Sequence, residues 1–309
     1  MGFSHAYGKP APKEEAIKAI HAAFEMGYTF FDTAEAYGTP EDPSANEQLM
    51  GEALKDIRDK VQICTKFGIR FDDPAKGVNH KLITDSRPET ILASIEGPLK
   101  RLQTDHVELY IQHSIDPNVT PEAVAEVMAS LIKQGKILHW GISEANEEYL
   151  RRAHKVCPVT CIQNRYSMMY RDYESLFPVL DELHIGFMAF SPLANGFLSG
   201  GYDKSSKFDA TYDFRAIMPQ YQPEAMDLNK GLLSLIANMA ARKKCTNAQL
   251  SLAWMMSKRP YIVPIPGTRH IERMKENAGA ASVSLTAEEV AEIDHALDTT
   301  AMSGVFGRK

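Results

Sequence analysis

Residues 107–143 read VELYIQHSIDPNVTPEAVAEVMASLIKQGKILHWGIS. The two ends of this stretch, VELYIQH (107–113) and ILHWGIS (137–143), are short apolar runs that predict β-strands. Between them, TPEAVAEVMASLIKQG (120–135) has apolar residues spaced by three and four and opens on Thr-Pro. That pattern predicts an amphipathic helix with a proline in its first turn. A strand, a helix and a strand in this order predict a parallel βαβ unit.

The same unit recurs along the chain, and the strand runs are YTFFDTA, VQICTKFG, VELYIQH, ILHWGIS, VTCIQNRY, GFMAFSP and YIVPIP. Seven strand–helix pairs favour an α/β fold of the (β/α)8 TIM-barrel type over an open sheet. The eighth strand belongs at the start, where only Met1 to Phe3 precede SHAYG, so we expect a truncated first strand.

Four further expectations concern helices and domains. SRPETILASIEGPLKRL (86–102) predicts one helix capped by Ser86, and Gly27 is expected to end the first helix. TAEEVAEIDHAL (286–297) predicts an extra C-terminal helix. Residues 1–309 contain no linker, repeat or low-complexity tract, which predicts a single domain.

Composition limits the classes of function. The formal net charge of −6 and the lack of a Lys/Arg block argue against nucleic-acid binding. No apolar run reaches the roughly 18–20 residues of a membrane span, and the first ten residues lack a signal-peptide pattern. The four cysteines do not form a CxxC site, so we expect reduced thiols, no bound metal and a cytoplasmic protein. Homo-oligomer formation stays open.

Titratable residues follow three successive predicted strands. Asp32 ends YTFFDTA, Lys66 ends VQICTKF and His113 ends VELYIQH, while Tyr37 lies just beyond the first strand. Taken singly, Asp32 suits a turn cap, His113 a core histidine and Lys66 a buried ion pair. Because barrel chemistry sits at the carboxyl ends of the strands, the four together predict an active site.

The residue types indicate the chemistry of that site. A tyrosine with an ordinary pKa near 10 is a weak acid at pH 7, and a neighbouring ammonium lowers that pKa. We therefore expect Lys66, held by Asp32, to make Tyr37 a general acid for a developing alkoxide. His113 is expected to donate a hydrogen bond to the same oxygen. Such a set suits carbonyl reduction, with the hydride coming from a nicotinamide cofactor.

Seven motifs stand in order along nearly the whole chain: FDTAEAYG, TKFG, the strand-end His113, GIS-E, IQNRYS, FSPLANGFLSG and PIPGTRHIERMKENAGA. Together they resemble the aldo-keto reductase family. The resemblance implies a (β/α)8 barrel that binds NADP without a Rossmann fingerprint, and a catalytic tetrad of Asp32, Tyr37, Lys66 and His113. It implies reversible, NADPH-dependent reduction of small-molecule aldehydes and ketones.

The resemblance also implies cofactor contacts. Ser143, Gln163 and Asn164 hold the nicotinamide carboxamide, and Phe190 stacks on the ring. The residues around the diphosphate are Ser191, Leu193, Asn195 and Gly196. Those around the 2′-phosphate and adenine are Gly267, Thr268, Arg269, Arg273, Glu276 and Asn277. Two arginines beside a helix N-terminus suit a phosphate dianion, which favours NADP over NAD.

Some interpretations stay open. HIERMKEN (270–277) by itself is typical of a solvated helix surface, and residues 199–227 are either a disordered insertion or a lid over cofactor and substrate. His5, Tyr7 and Phe67 either line the pocket or serve packing. Glu144 stands where many family members have Asn. The short tail TTAMSGVFGRK lacks a substrate-shaping loop, which predicts an open pocket.

Two alternatives to a reductase remain. Some proteins of this family are channel-associated regulatory subunits that hold NADP tightly and turn over slowly, and an intact tetrad does not exclude that role. The other alternative is an inactive or misfolded fragment, because a missing first strand exposes two sheet edges.

Overall fold

A computed structural model describes residues 2–39, 41–71 and 82–305. Within these ranges, seven parallel strands form the main sheet, in chain order from one edge to the other. They are β1 Phe30–Asp32, β2 Gln62–Phe67, β5 Val107–Gln112, β6 Ile137–Ser143, β7 Cys161–Arg165, β8 Gly186–Phe190 and β9 Ile262–Pro264. A separate antiparallel pair consists of β3 Ile69–Phe71 and β4 Leu82–Thr84.

Helices cover the outside of this sheet. They are α1 Lys13–Glu25, α2 Ala45–Leu54, α3 Pro88–Ser94, α4 Glu96–Leu102, α5 Pro121–Lys133, α6 Glu147–Val156, α7 Phe177–Leu183, α8 Pro223–Leu228, α9 Lys230–Lys243, α10 Asn247–Lys258, α11 Ile271–Ala278 and α12 Ala287–Thr299. The α12 helix, which begins with a capping box between Thr286 and Glu289, confirms the expected extra helix.

The unit that predicts the fold is present. The Thr120 side chain accepts a hydrogen bond from the backbone of Ala123 and so caps α5, whose apolar face is buried. The flanking strands β5 and β6 pair in parallel, with Val107 opposite Ile137. A further expectation also holds, because Gly27 follows α1 with φ +93°, a conformation that glycine adopts without strain.

The helix expected over 86–102 is interrupted once, at a residue that keeps helical backbone angles. The segment forms α3 and α4, with a break at Ile95. Pro98 has no N–H to donate to the carbonyl four residues earlier, and its ring disfavours a continuous helix there. Ser86 is not the cap either: Arg87 occupies that position, and the Ser86 hydroxyl accepts a hydrogen bond from Gln112.

The sheet is curled into a barrel shape. Gln163 on β7 donates a hydrogen bond of 2.8 Å to Asp32 on β1, although three strands lie between them in the sheet. In the described ranges no strand precedes β1, and Met1 of the expected truncated strand lies outside them. Phe3 is 2% exposed and packs into the core, while α1 contacts α11 beside the β1–β9 opening.

Candidate active site

The four titratable residues of the predicted site come together. Asp32 ends β1, Lys66 lies in β2 and His113 directly follows β5, so three adjacent strands carry them to the carboxyl end of the barrel. Tyr37 lies in the loop after β1. The backbone N–H of His113 bonds to the Phe67 carbonyl, which extends the β2–β5 pairing to the histidine itself.

Lys66 and Asp32 form a buried ion pair. The Lys66 Nζ lies 2.6 Å from Asp32 Oδ1 and donates a second hydrogen bond of 2.7 Å to the Thr33 carbonyl. The lysine side chain is fully buried. Burial lowers the pKa of Lys66, but the Asp32 carboxylate, together with Tyr37 and Cys64, outweighs burial and the net pKa is raised. The same pairing keeps the pKa of Asp32 below its usual value against the effect of burial.

Tyr37 is enclosed by three groups. Lys66 Nζ lies 4.7 Å from the centre of the phenol ring, His113 meets the ring edge-on at 5.5 Å, and His5 stacks on it at 4.5 Å. Burial raises the pKa of Tyr37, and Lys66 opposes this shift only in part. The expected effect of Lys66 is therefore present, but it is the smaller one, so the phenol keeps its proton at neutral pH.

The two histidines beside Tyr37 are neutral. Burial, assisted by the Lys66 charge, lowers the pKa of His113 to about 3, and burial does the same for His5. The Nδ1 atoms of both rings are buried without a hydrogen-bond partner in the described structure. A neutral imidazole still donates one hydrogen bond, so both rings are suited to orient a polar ligand. The sequence did not decide whether His5 lines the pocket or serves packing, because its stacking on Tyr37 is a tertiary contact.

The residues predicted to hold the nicotinamide carboxamide differ in the hydrogen bonds that they already make within the protein. Ser143 ends β6 and is buried, while Gln163 uses its amide group on Asp32. The Asn164 side chain both accepts from and donates to the Ala145 backbone, each at 3.1 Å. Asn164 therefore fastens the end of β7 to the loop after β6, and both polar atoms of its side chain are engaged within the protein.

Phe190 ends β8 and opens the loop predicted to hold the diphosphate. In that loop Ser191, Ala194 and Asn195 all have φ values between 48° and 61°, and Gly196 has φ +97°. The Asn195 side-chain amide donates to the Tyr7 hydroxyl at 2.7 Å and to Ser191 Oγ at 3.3 Å, and the backbone carbonyl of Asn195 accepts a hydrogen bond from the Tyr221 hydroxyl. These contacts hold a strained backbone in place, as is common at ligand sites.

The predicted 2′-phosphate region surrounds the start of α11. Its two arginines differ: Arg273 is exposed in the first turn, whereas the Arg269 guanidinium donates to the carbonyls of Gly2, Gly8 and Lys9. Arg269 thus fastens the N-terminal segment. Gly267 and Thr268 precede the helix, Glu276 is partly buried, and Asn277 is buried on the inner face.

Residues 199–227, for which the sequence allowed either disorder or a lid, form an ordered segment. Tyr221 packs edge to face with Tyr202 and Phe208, and the Arg215 guanidinium lies 4.6 Å from the Phe208 ring centre. The segment also pairs with the N-terminal residues, since Gly8 N–H donates to Tyr212 and Phe214 N–H to Ala6. This pairing lies beside the Tyr7–Asn195 hydrogen bond, which favours the lid interpretation.

Arg165 received no role from the sequence beyond its place in IQNRYS. It ends β7, is 9% exposed, and its guanidinium lies 5.1 Å from the Phe190 ring centre and 5.4 Å from that of Tyr170. Its Nε has no hydrogen-bond partner in the part of the chain that the structure describes. Only the tertiary structure shows that this charge is buried.

A barrel of parallel strands with an aspartate, lysine, tyrosine and histidine at its mouth defines a class of oxidoreductases that act on carbonyl and alcohol groups. Comparison with known proteins gives the particular family. The model of the aldo/keto reductase family matches residues 1–298, so this chain belongs to that family. No helix among the described residues is long and apolar enough to cross a membrane.

Individual relatives agree. The chain is 37% identical over 306 residues to a probable aldo-keto reductase 1 of Glycine max, a match that covers 98% of this chain and 85% of the relative. An aldo/keto reductase of Klebsiella pneumoniae, solved with NADP and acetate, is 27% identical with a TM-score of 0.69 over 92% of this chain and 85% of its own. The fold matches a glycerol dehydrogenase of Gluconobacter oxydans at a TM-score of 0.84 and 24% identity, over 96% and 89% of the two chains.

Proposed function

We propose that the protein reduces aldehydes and ketones to alcohols with NADPH, reversibly, and that Tyr37 is the general acid. One observation carries this proposal: a protonated phenol, a buried ammonium and a neutral imidazole meet at the carboxyl ends of neighbouring strands. The phenol ring centre lies 4.7 Å from Lys66 Nζ and 5.5 Å from the ring centre of His113.

The roles of the residues follow from their charge states. Tyr37 donates its proton to the carbonyl oxygen as negative charge develops there, since burial keeps the phenol protonated at neutral pH. Lys66 then stabilises the phenolate that remains, because it lies beside the ring and Asp32 holds it charged. His113, being neutral, donates a hydrogen bond that orients the carbonyl oxygen. Bound NADPH supplies the hydride to the carbonyl carbon.

The chain has groups suited to each part of a dinucleotide. Phe190 offers a ring face for the nicotinamide, and Gln163 and Ser143 lie at neighbouring strand ends for its carboxamide. The loop Ser191 to Gly196 has the left-handed residues that bring backbone N–H groups toward an anion. Arg273 in the first turn of α11 is an exposed cation for a 2′-phosphate, which supports NADP. The solved Klebsiella relative is a complex with NADP.

Turnover tests the proposal. Purified protein is mixed with NADPH and a panel of aldehydes, ketones and sugars, and the loss of nicotinamide absorbance is followed. We expect multiple turnovers with at least one carbonyl. Tight NADP binding without multiple turnover on any of them would instead favour the regulatory-subunit function. Absence of NADP binding would contradict both functions.

A further inference from the structure

Arg165 is a largely buried cation to which the proposed mechanism gives no role. The side chain is nine-tenths buried at the end of β7, yet among residues 2–39, 41–71 and 82–305 no carboxylate forms an ion pair with it. Its guanidinium lies 5.1 Å from the ring centre of Phe190 and 5.4 Å from that of Tyr170. A largely buried cation without an ion-pair partner lowers the stability of the folded protein. A ligand anion would remove this cost.

The position of Arg165 indicates which anion. It pairs in the sheet with Phe190, the residue directly before the Ser191 to Gly196 loop. It also lies near enough to Tyr7 to oppose the burial that raises the pKa of that phenol, and the Tyr7 hydroxyl accepts a hydrogen bond from Asn195. Arg165 therefore faces the loop side of the mouth, next to the ring proposed for the nicotinamide.

The order of groups along a dinucleotide narrows the choice further. The nicotinamide end belongs at Phe190, and the 2′-phosphate end belongs at Arg273, which reaches the hydroxyl of Tyr202, a neighbour of Gly196, at 3.5 Å. The diphosphate lies between these two ends of the cofactor. The guanidinium has a planar fork of donors that matches two phosphate oxygens.

We propose that Arg165 is a cofactor-binding residue whose guanidinium pairs with the diphosphate of the dinucleotide. This inference rests on the proposed function, because it takes NADPH to be the ligand. It adds a specific consequence: the ligand-free protein carries an uncompensated charge that the cofactor neutralises. Arg165 is thus kept at a cost in stability for the sake of binding.

The test compares Arg165→Met with the unaltered protein and with Arg259→Met as a control. Arg259 also lies over an aromatic ring, 4.9 Å from the centre of Phe177, but it has Asp181 as an ion-pair partner. We measure the melting temperature without ligand, and by calorimetry the dissociation constants of NADPH, 2′-phospho-ADP-ribose and 2′-AMP.

If the proposal is right, Arg165→Met melts at a temperature no lower than that of the unaltered protein. Its dissociation constant for NADPH should rise at least about tenfold, because one charge-assisted hydrogen bond to the diphosphate is lost. Binding of 2′-phospho-ADP-ribose, which keeps the diphosphate, should weaken equally, and binding of 2′-AMP should not change. Arg259→Met should leave all three dissociation constants unaltered.

Three results would overturn the proposal. Unchanged NADPH binding by Arg165→Met rules out a cofactor role. If the melting temperature also falls, Arg165 stabilises the fold instead. Weaker binding of NADPH but not of 2′-phospho-ADP-ribose moves the contact to the nicotinamide end. If the unaltered protein itself binds no NADPH, the proposed function fails, which is a distinct outcome.

Discussion

At the scale of single residues, Tyr37 has the most specific environment in the protein. It is the one phenol that contacts Lys66 and both neutral histidines in the described structure. Sequence predicted the tetrad from polar residues at strand ends, and the structure brings its members together. The net effect on the Tyr37 pKa was not predictable, because it depends on how far burial outweighs the ammonium.

Replacing Tyr37 with Phe removes the proton donor and little volume. We expect the rate of carbonyl reduction to fall by about 10²–10⁴, the usual contribution of a general acid, while NADPH affinity stays within a few-fold. Steady-state kinetics and a fluorescence titration measure the two effects. Tyr261→Phe, directly before β9, is the matched control. Near-full activity of Tyr37→Phe would show that another group donates the proton.

Lys66 should control how the reaction depends on pH. Lys66→Met removes the cation that lowers the Tyr37 pKa against burial, so the phenolate becomes harder to form. Alcohol oxidation needs that phenolate as a base, and we expect it to be lost at neutral pH and to recover only at a higher pH than in the unaltered protein. Rate profiles in both directions check this; an unshifted oxidation profile would contradict the role of Lys66.

His5 and His113 should make the protein sensitive to acid. Each has a folded-state pKa of about 3 against an ordinary value of 6.5. Between these values the unfolded chain binds protons that the folded chain does not, so the free energy of unfolding falls as pH falls. Each histidine contributes a slope of at most ~1.4 kcal/mol per pH unit. Urea titrations from pH 7 to 4.5 measure the slope, and His5→Gln with His113→Gln should flatten it.

At the scale of elements, two arginines that look equivalent in PIPGTRHIER differ because Arg269 precedes α11 and Arg273 lies in its first turn. Arg273→Met should weaken NADPH binding far more than NADH binding, since only NADPH carries the 2′-phosphate. Arg269→Met removes contacts to the N-terminal backbone instead, and we expect a lower melting temperature. Arg242→Met, an exposed arginine paired with Glu292, controls for the loss of surface charge. Equal losses of NADPH and NADH affinity for Arg273→Met would refute the phosphate role.

The elements themselves follow from local patterns wherever those patterns are strong. The α5 helix begins at its Thr-Pro signal and β6 spans the predicted ILHWGIS. The segment 86–102 shows the limit, since a continuous apolar period concealed the effect of Pro98. Residues 199–227 show a different limit, because an irregular sequence forms an ordered cluster through aromatic contacts with no fixed spacing.

At the scale of the whole molecule, the candidate cofactor groups come from β6, β7, β8 and α11, while the tetrad comes from β1, β2 and β5. Ligand binding should therefore stabilise the barrel as one unit, in keeping with the proposal of a single domain. At a hundredfold excess over the dissociation constant, NADPH should add about 2.7 kcal/mol to the free energy of unfolding. Calorimetry should show one transition that moves upward; two transitions of which one moves would contradict this.

The sequence by itself determined the barrel class, and it predicted the order of the strands along the chain and the four tetrad positions. These follow from periodicity and from residue types at strand ends, which are local properties of the chain. Only the tertiary structure decided that burial keeps Tyr37 protonated, that His5 stacks on it, that Arg269 fastens the N-terminal segment and that Arg165 is a buried cation. Each of these depends on distances between residues far apart in the chain, and electrostatic effects change steeply with distance and burial.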